Sequence, residues 1–113
     1  MPEPKAERRR QSRVPQRASA ALKFVNGGVH QDSANIEDVS KHSVFFYTEA
    51  HLVEGSSIEL VMPLPPEITG TDEQVVVRCQ ARIVRVQQRS GDGKMGIAAV
   101  FDDYEILEAK TTP

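Results

Sequence analysis

Apolar and polar residues alternate along much of this chain, the repeat of a strand with one face buried. The longest run spans Gln74 to Gln88: Val75, Val77, Cys79, Ala81 and Ile83 share one face, and Arg78, Gln80 and Arg82 the other. After Ile83 the phase slips, because Val84 and Val86 continue the apolar set one residue out of register. A β-bulge near Ile83 reconciles the two halves and bends the strand as a closed barrel requires. Ile58, Leu60 and Met62 alternate with Ser57, Glu59 and Val61, and Val44-Phe45-Phe46-Tyr47 is aromatic and β-branched; both predict strands. Met95 to Phe101 is almost continuously apolar, which predicts a strand buried on both faces. Leu22, Phe24 and Val25 predict an earlier strand, with His30 to Ile36 as its more polar return.

Turn chemistry separates these runs. Asn26-Gly27-Gly28 and Ser90-Gly91-Asp92-Gly93 carry the glycines that tight hairpins demand. Asp38-Val39-Ser40-Lys41-His42-Ser43 is a polar turn of residues that hydrogen-bond their own backbone, and Glu54-Gly55-Ser56 is another turn. Pro63-Leu64-Pro65-Pro66 ends a strand, since proline cannot donate to a ladder, and Glu67 to Glu73 reads as a polar loop. Asp102 or Asp103 is placed to cap a short helix running through Lys110, with Tyr104 and Leu107 on its inner side. The expectation is an all-β fold: about six antiparallel strands in meander order, closed into a barrel so that no edge stays open, with a short C-terminal helix.

A length of 113 residues suits one domain. No apolar stretch approaches the ~20 residues that span a bilayer, and MPEPKAERRR lacks the apolar segment of a secretory signal. With a single cysteine, Cys79, set in an apolar strand, the chain reads as a cytoplasmic protein with a buried thiol and no disulfide. Charge is uneven. Residues 1–23 hold seven of the fourteen Lys and Arg against two acids, Glu3 and Glu7, while the remainder holds seven basic and fourteen acidic groups. Residues 1–17 contain three prolines and few large apolar side chains, so they are expected to form a flexible basic arm that orders only against a partner. The expected organisation is an arm at 1–17, a barrel domain at 18–110 and a tail at 111–113.

Catalytic and metal chemistry find little support. His30, His42 and His51 stand 12 and 9 residues apart with no paired ligand spacing. Asp38, Ser40 and His42 alternate within one turn, which does not set a histidine between two partners as a triad needs. Gly91-Asp92-Gly93-Lys94 has no helix start after it and reads as a hairpin tip rather than a phosphate loop. Neither an enzyme nor a metal or cofactor site is expected. The arm is more suggestive: Arg8, Arg9, Arg10 and Arg13 are guanidinium forks that bind phosphate bidentately, stack on bases and match guanine's O6 and N7 acceptors. A solvated tail and a nonspecific nucleic-acid patch would use the same residues. Against nucleic acid stand the acidic body and the lack of an identifiable aromatic platform among four Phe and two Tyr.

Two motifs in order sharpen this reading. Arg9-x-x-x-Arg13, flanked by Arg8 and Arg10, is followed after one hairpin by Asp38-Val39-Ser40-Lys41-His42-Ser43. Together they resemble the arginine arm and the Asp/Asn-x-Ser-x-x-Gly motif of the PilZ family. Glu54 to Ile58, the long strand with Val84 near its end, and Met95-Gly96-Ile97-Ala98-Ala99-Val100-Phe101 are also similar to that family, so the likeness spans roughly residues 7 to 108. The resemblance implies a stand-alone split-barrel PilZ-like domain that binds the bacterial second messenger cyclic di-GMP without chemistry. Arg8, Arg9, Arg10 and Arg13 would clamp phosphates and guanines, while Asp38 and Ser40 at the barrel surface would read a guanine edge. Ordering of the arm would relay the signal to an unidentified downstream protein. The departure is Ser43, which stands where the family has glycine. A positive φ there would cost serine on the order of 1–2 kcal/mol. A close backbone approach there would leave the side chain obstructing the base. The alternative implied is a degenerate PilZ domain that takes no nucleotide and acts as a protein-interaction adaptor.

Overall fold

The computed structural model describes residues 14–25, 28–88 and 93–109. Its elements are β1 (Val14–Val25), β2 (Val29–Val39), β3 (Ser43–Thr48), β4 (Ser57–Leu64), α1 (Pro66–Thr69), β5 (Val75–Gln88) and β6 (Met95–Ala109). Arg8, Arg9, Arg10 and Arg13, the Asn26-Gly27 pair, Ser90-Gly91-Asp92 and residues 110–113 lie outside the described residues. β1 begins at Val14 and so takes in residues expected of the arm.

The alternation seen in the sequence becomes the inside and outside of a closed barrel with strand order β1-β2-β3-β6-β5-β4. Val75, Val77, Cys79, Ala81 and Ile83 of β5 are all buried, as are Val44, Phe46 and Thr48 of β3. The bulge is present where the phase slip put it. Pairing steps from Ile83 with Ala99 to Arg85 with Ala98, so Val84 has no partner position. Val84 is half exposed and the apolar set resumes only at Val86, which packs against the core. The expected burial of Met95 to Phe101 on both faces holds only in part: Ile97 and Ala99 are fully buried, while Ala98 and Val100 on the other face are partly exposed.

Simple meander order does not hold for the whole barrel. β1-β2-β3 and β4-β5-β6 are each meanders, and the two halves join edge to edge at β1–β4 and β3–β6. The connector between β3 and β4 is long enough to cross the barrel mouth, and it buries Ala50 and Leu52 there. That burial favours crossing over a direct β3–β4 hairpin.

Three further expectations are corrected. β4 continues through Pro63 to Leu64; its pairing with β1 stops at Val61, so at Pro63 the ladder is with β5 alone and a residue lacking N–H is tolerated. The expected polar loop after it contains α1, which opens with Pro66, buries Ile68, and ends at Gly70 in the left-handed region (φ 77°), where only glycine is unstrained. The C-terminal helix does not form. β6 runs on through this stretch, with Tyr104 opposite Cys79, Ile106 opposite Val77 and Ala109 opposite Val75. The edge of β5 from Val75 to Gln80 needs backbone partners, and a single helical turn or two is costly to nucleate, so strand pairing wins. Tyr104 and Leu107, expected on an inner helical face, are 39% and 41% exposed. Among the described residues no helix is long and apolar enough to cross a membrane.

Strand pairing defines both ends of the barrel. At one end Val14 pairs with Val39 and Ser43 with Val100, and the His42 carbonyl accepts the Phe101 N–H at 2.8 Å. At the other lie Val25 opposite Val29 and Thr48 opposite Met95.

Cys79 is fully buried in this core, and desolvation raises its thiol pKa from 9.0 to about 12. A raised folded-state value means the thiol's contribution to stability is complete below pH 9, where both states are protonated. It is then lost as pH climbs toward 12, because only the unfolded chain ionises. Urea unfolding of wild type and Cys79→Ala should therefore show a stability difference that is constant up to about pH 8 and shifts against the wild type between pH 9 and 11. A gap independent of pH would refute this placement of the thiol.

Candidate functional site

The β2–β3 turn is organised by one hydroxyl. Ser40 is 4% exposed, and its Oγ accepts the N–H groups of His42 (3.3 Å) and Ser43 (3.2 Å). Its own N–H donates to the Ser43 carbonyl at 2.8 Å, and its Oγ lies 3.2 Å from Ser43 Oγ. A hydroxyl has two acceptor lone pairs and one proton, so these contacts occupy it fully. Asp38 lies just before the turn, half-buried, with Pro15 opposite on β1 and Phe45 opposite on β3.

Asp38 is partly exposed at the surface. Ser40 is not: it faces inward and closes the turn, and its role in this arrangement is to hold Asp38 and Ser43 in place. Ser43 is the first residue of β3, half-buried and paired with Val100. A strand position does not call for positive φ, so the backbone strain anticipated for a serine here does not arise. What serine adds is a hydroxymethyl group close to the Ser40 hydroxyl.

Cross-strand pairing arranges the outer face into rows. One row reads Pro15, Asp38, Phe45, Ala98 and Arg85 across five strands. The next, two residues up β3, reads Asn35, Tyr47, Gly96 and Gln87. Side chains in a row share a face, and rows stand ~7 Å apart at ~3.3 Å per strand residue. Phe45 and Tyr47 are both half-buried, in an edge-to-face pair with centroids 5.2 Å apart. Gly96 makes this possible: a Cβ there would lie 2.9 Å from Phe45 Cζ and 3.2 Å from Tyr47 Cε1, so the rings rest where another residue's side chain would be. From the sequence no exposed aromatic platform was identified; the structure shows these two rings half-buried on the outer face. The signal was available in the alternation of Val44 to Tyr47, where two aromatics fall on opposite parity to Val44 and Phe46.

Two clefts flank Tyr47. One of about 480 Å³ is lined by Tyr47, Gln87, Gln88 and Gly96. The other, of about 360 Å³, is lined by Arg17, Asn35, Glu37, Tyr47 and Lys94. An ion pair of 3.5 Å joins Arg17 to Glu37 there, with Arg17 so exposed that the pair adds little to stability. Among the described residues no group of three or more His, Cys, Asp or Glu is arranged to hold a metal ion. His30 instead stacks on Phe24 at 5.2 Å.

Comparison with known proteins agrees with the architecture. The family model described as PilZ domain matches residues 7–110. Among solved structures, the Bacillus subtilis inhibitor of motility (MotI/DgrA) superposes with a TM-score of 0.62 at 12% identity, covering 80% of this chain and 41% of that one. The chain thus spans less than half the length of that structure, and at this identity the likeness is one of fold. No curated protein matches the sequence.

If Ser40 holds the turn, Ser40→Ala should lower unfolding stability by about 1–3 kcal/mol, the cost of leaving buried N–H groups unsatisfied. Ser43→Gly keeps every backbone bond of the turn and should change it by less than about 1 kcal/mol. Urea titrations of the two variants check this; equal losses would contradict it.

Proposed function

The chain belongs to the PilZ domain family, and from that premise we propose that it is a non-enzymatic receptor for cyclic di-GMP. The nucleotide would be held at the barrel end where β1 starts and β2 turns into β3. The observation that carries this reading is the register of β1: Val14 sits opposite Val39 and Pro15 opposite Asp38. Arg13 is joined to Val14 by one peptide bond, which keeps their Cα atoms ~3.8 Å apart. Arg9 is five residues from Val14, within ~18 Å even along a fully extended chain. A connection of that length can bring both guanidinium groups to the Asp38–Ser43 turn. The family match begins at residue 7, so it takes in Arg8, Arg9, Arg10 and Arg13.

The chemistry fits the residues. Arginines supply bidentate donors to the two phosphates and to guanine O6 and N7, and the Asp38 carboxylate can accept from guanine N1 and N2 donors. Ser40 would act through the shape of the turn. Closure of the arm onto the barrel on binding would change the surface offered to a downstream protein, an order–disorder switch consistent with a cytoplasmic signalling module.

One observation favours a second reading, a degenerate PilZ domain acting as a protein-interaction adaptor. Ser43 replaces the motif glycine, and its side chain and the Ser40 hydroxyl are 3.2 Å apart, which closes the turn upon itself.

Isothermal titration with cyclic di-GMP separates the two. The receptor reading expects saturable binding by the wild type, weakened at least ten-fold in Arg9→Ala and in Arg13→Ala. The adaptor reading expects no binding until Ser43→Gly restores it. Steeply salt-dependent binding of RNA or DNA with no preference for the dinucleotide would defeat both.

A further inference from the structure

We propose that the cleft between Tyr47 and Gln88 seats one guanine of the dinucleotide, stacked on the Tyr47 ring, as a subsite separate from the Asp38–Ser43 turn. This rests on the receptor reading above. Tyr47 is four residues along β3 from Ser43, ~13 Å at ~3.3 Å per residue, and on the same outer face. A ligand with two bases on one phosphate ring can place one base at the turn and the other farther along the strand.

Three properties of the cleft select a nucleotide base over a plain apolar group. Its wall is a half-buried aromatic ring, held in orientation by its near-perpendicular packing with Phe45 and by the space above Gly96. A purine stacks on such a face, whichever way its edge is turned. Its rim carries the side-chain amides of Gln87 and Gln88, each with donors and an acceptor for a base edge. Arg85 lies two residues from Gln87 on the same face, beside Ala98. Arg17, Arg78 and Arg82 each hold a carboxylate, to Glu37, to Glu59 and Glu105, and to Asp102. Arg85 has no ion-pair partner among the described residues. The bulge at Val84 is what turns it to the outer face, where it can meet phosphate between the two subsites.

The test is titration of cyclic di-GMP into wild type, Tyr47→Ala and Tyr47→Phe, with circular dichroism and urea midpoints confirming that each variant folds. Tyr47→Ala should weaken binding by about five-fold to 150-fold, the range of one base–aromatic stack. Tyr47→Phe, which keeps the stacking face, should stay within about three-fold of the wild type. Wild-type affinity in Tyr47→Ala overturns this inference and leaves the receptor reading standing. No binding by the wild type removes both. The chain has two tyrosines, so in Tyr104→Phe the one remaining set of tyrosine ring resonances belongs to Tyr47. Those resonances should move upfield on saturation. Unmoved ring resonances would overturn the inference even if Tyr47→Ala failed to fold.

Discussion

Edge-to-edge pairing at two seams, β1 with β4 and β3 with β6, turns a pair of three-stranded meanders into a closed barrel. Without those seams each half would present open edges and one bare apolar face, and neither could bury enough surface to stand alone. With them, every alternating strand has a single inside. Phe46, Leu60, Val77 and Ile97 come from different strands and are all fully buried in one core. The β3–β6 seam has a second consequence: it lays the small residues Gly96 and Ala98 next to Tyr47 and Phe45. The aromatic strip on the outer face therefore depends on the same pairing that completes the core.

The candidate site arises from this geometry in two steps. Barrel closure fixes the end where β1 begins, β2 ends and β3 starts, so chain segments far apart in sequence share one surface. The Ser40 hydroxyl then sets the local shape, because a short connection between antiparallel strands leaves N–H groups that only a side chain can satisfy. The motif residues thus divide their work. Asp38 presents a carboxylate, Ser40 shapes the turn, and Ser43 begins the strand that leads to Tyr47. The surface combines a carboxylate, aromatic faces, amides and a guanidinium, the set of groups that a guanine nucleotide engages.

Much of this was legible in residue order. Alternation gave the buried face of β5 from Val75 to Ile83, and the phase slip after Ile83 located its bulge, although Val84, read as apolar and inward, is half exposed. The arginine and Asp-x-Ser motifs pointed to the family. The helix expected after Asp102 shows the limit. Caps and apolar spacing there were compatible with a helical turn, but they could not register the unpaired edge of β5 beside it, whose backbone groups claimed that segment as strand. Ser40 was similarly misjudged as a surface group, since a hydroxyl's direction depends on which N–H groups the turn brings near.

The sequence by itself determined most of the strands, the buried parity of β4 and of β5 as far as Ile83, and the motif residues, because each depends on neighbours within a few positions. Tertiary structure alone decided which edges meet, and with that the crossing of the β3–β4 connector, the extension of β6, and the alignment of Tyr47 with Gly96 and Gln87. Those depend on competition among distant backbone groups for partners and on burial of apolar area across the barrel. No local pattern encodes the outcome of that competition.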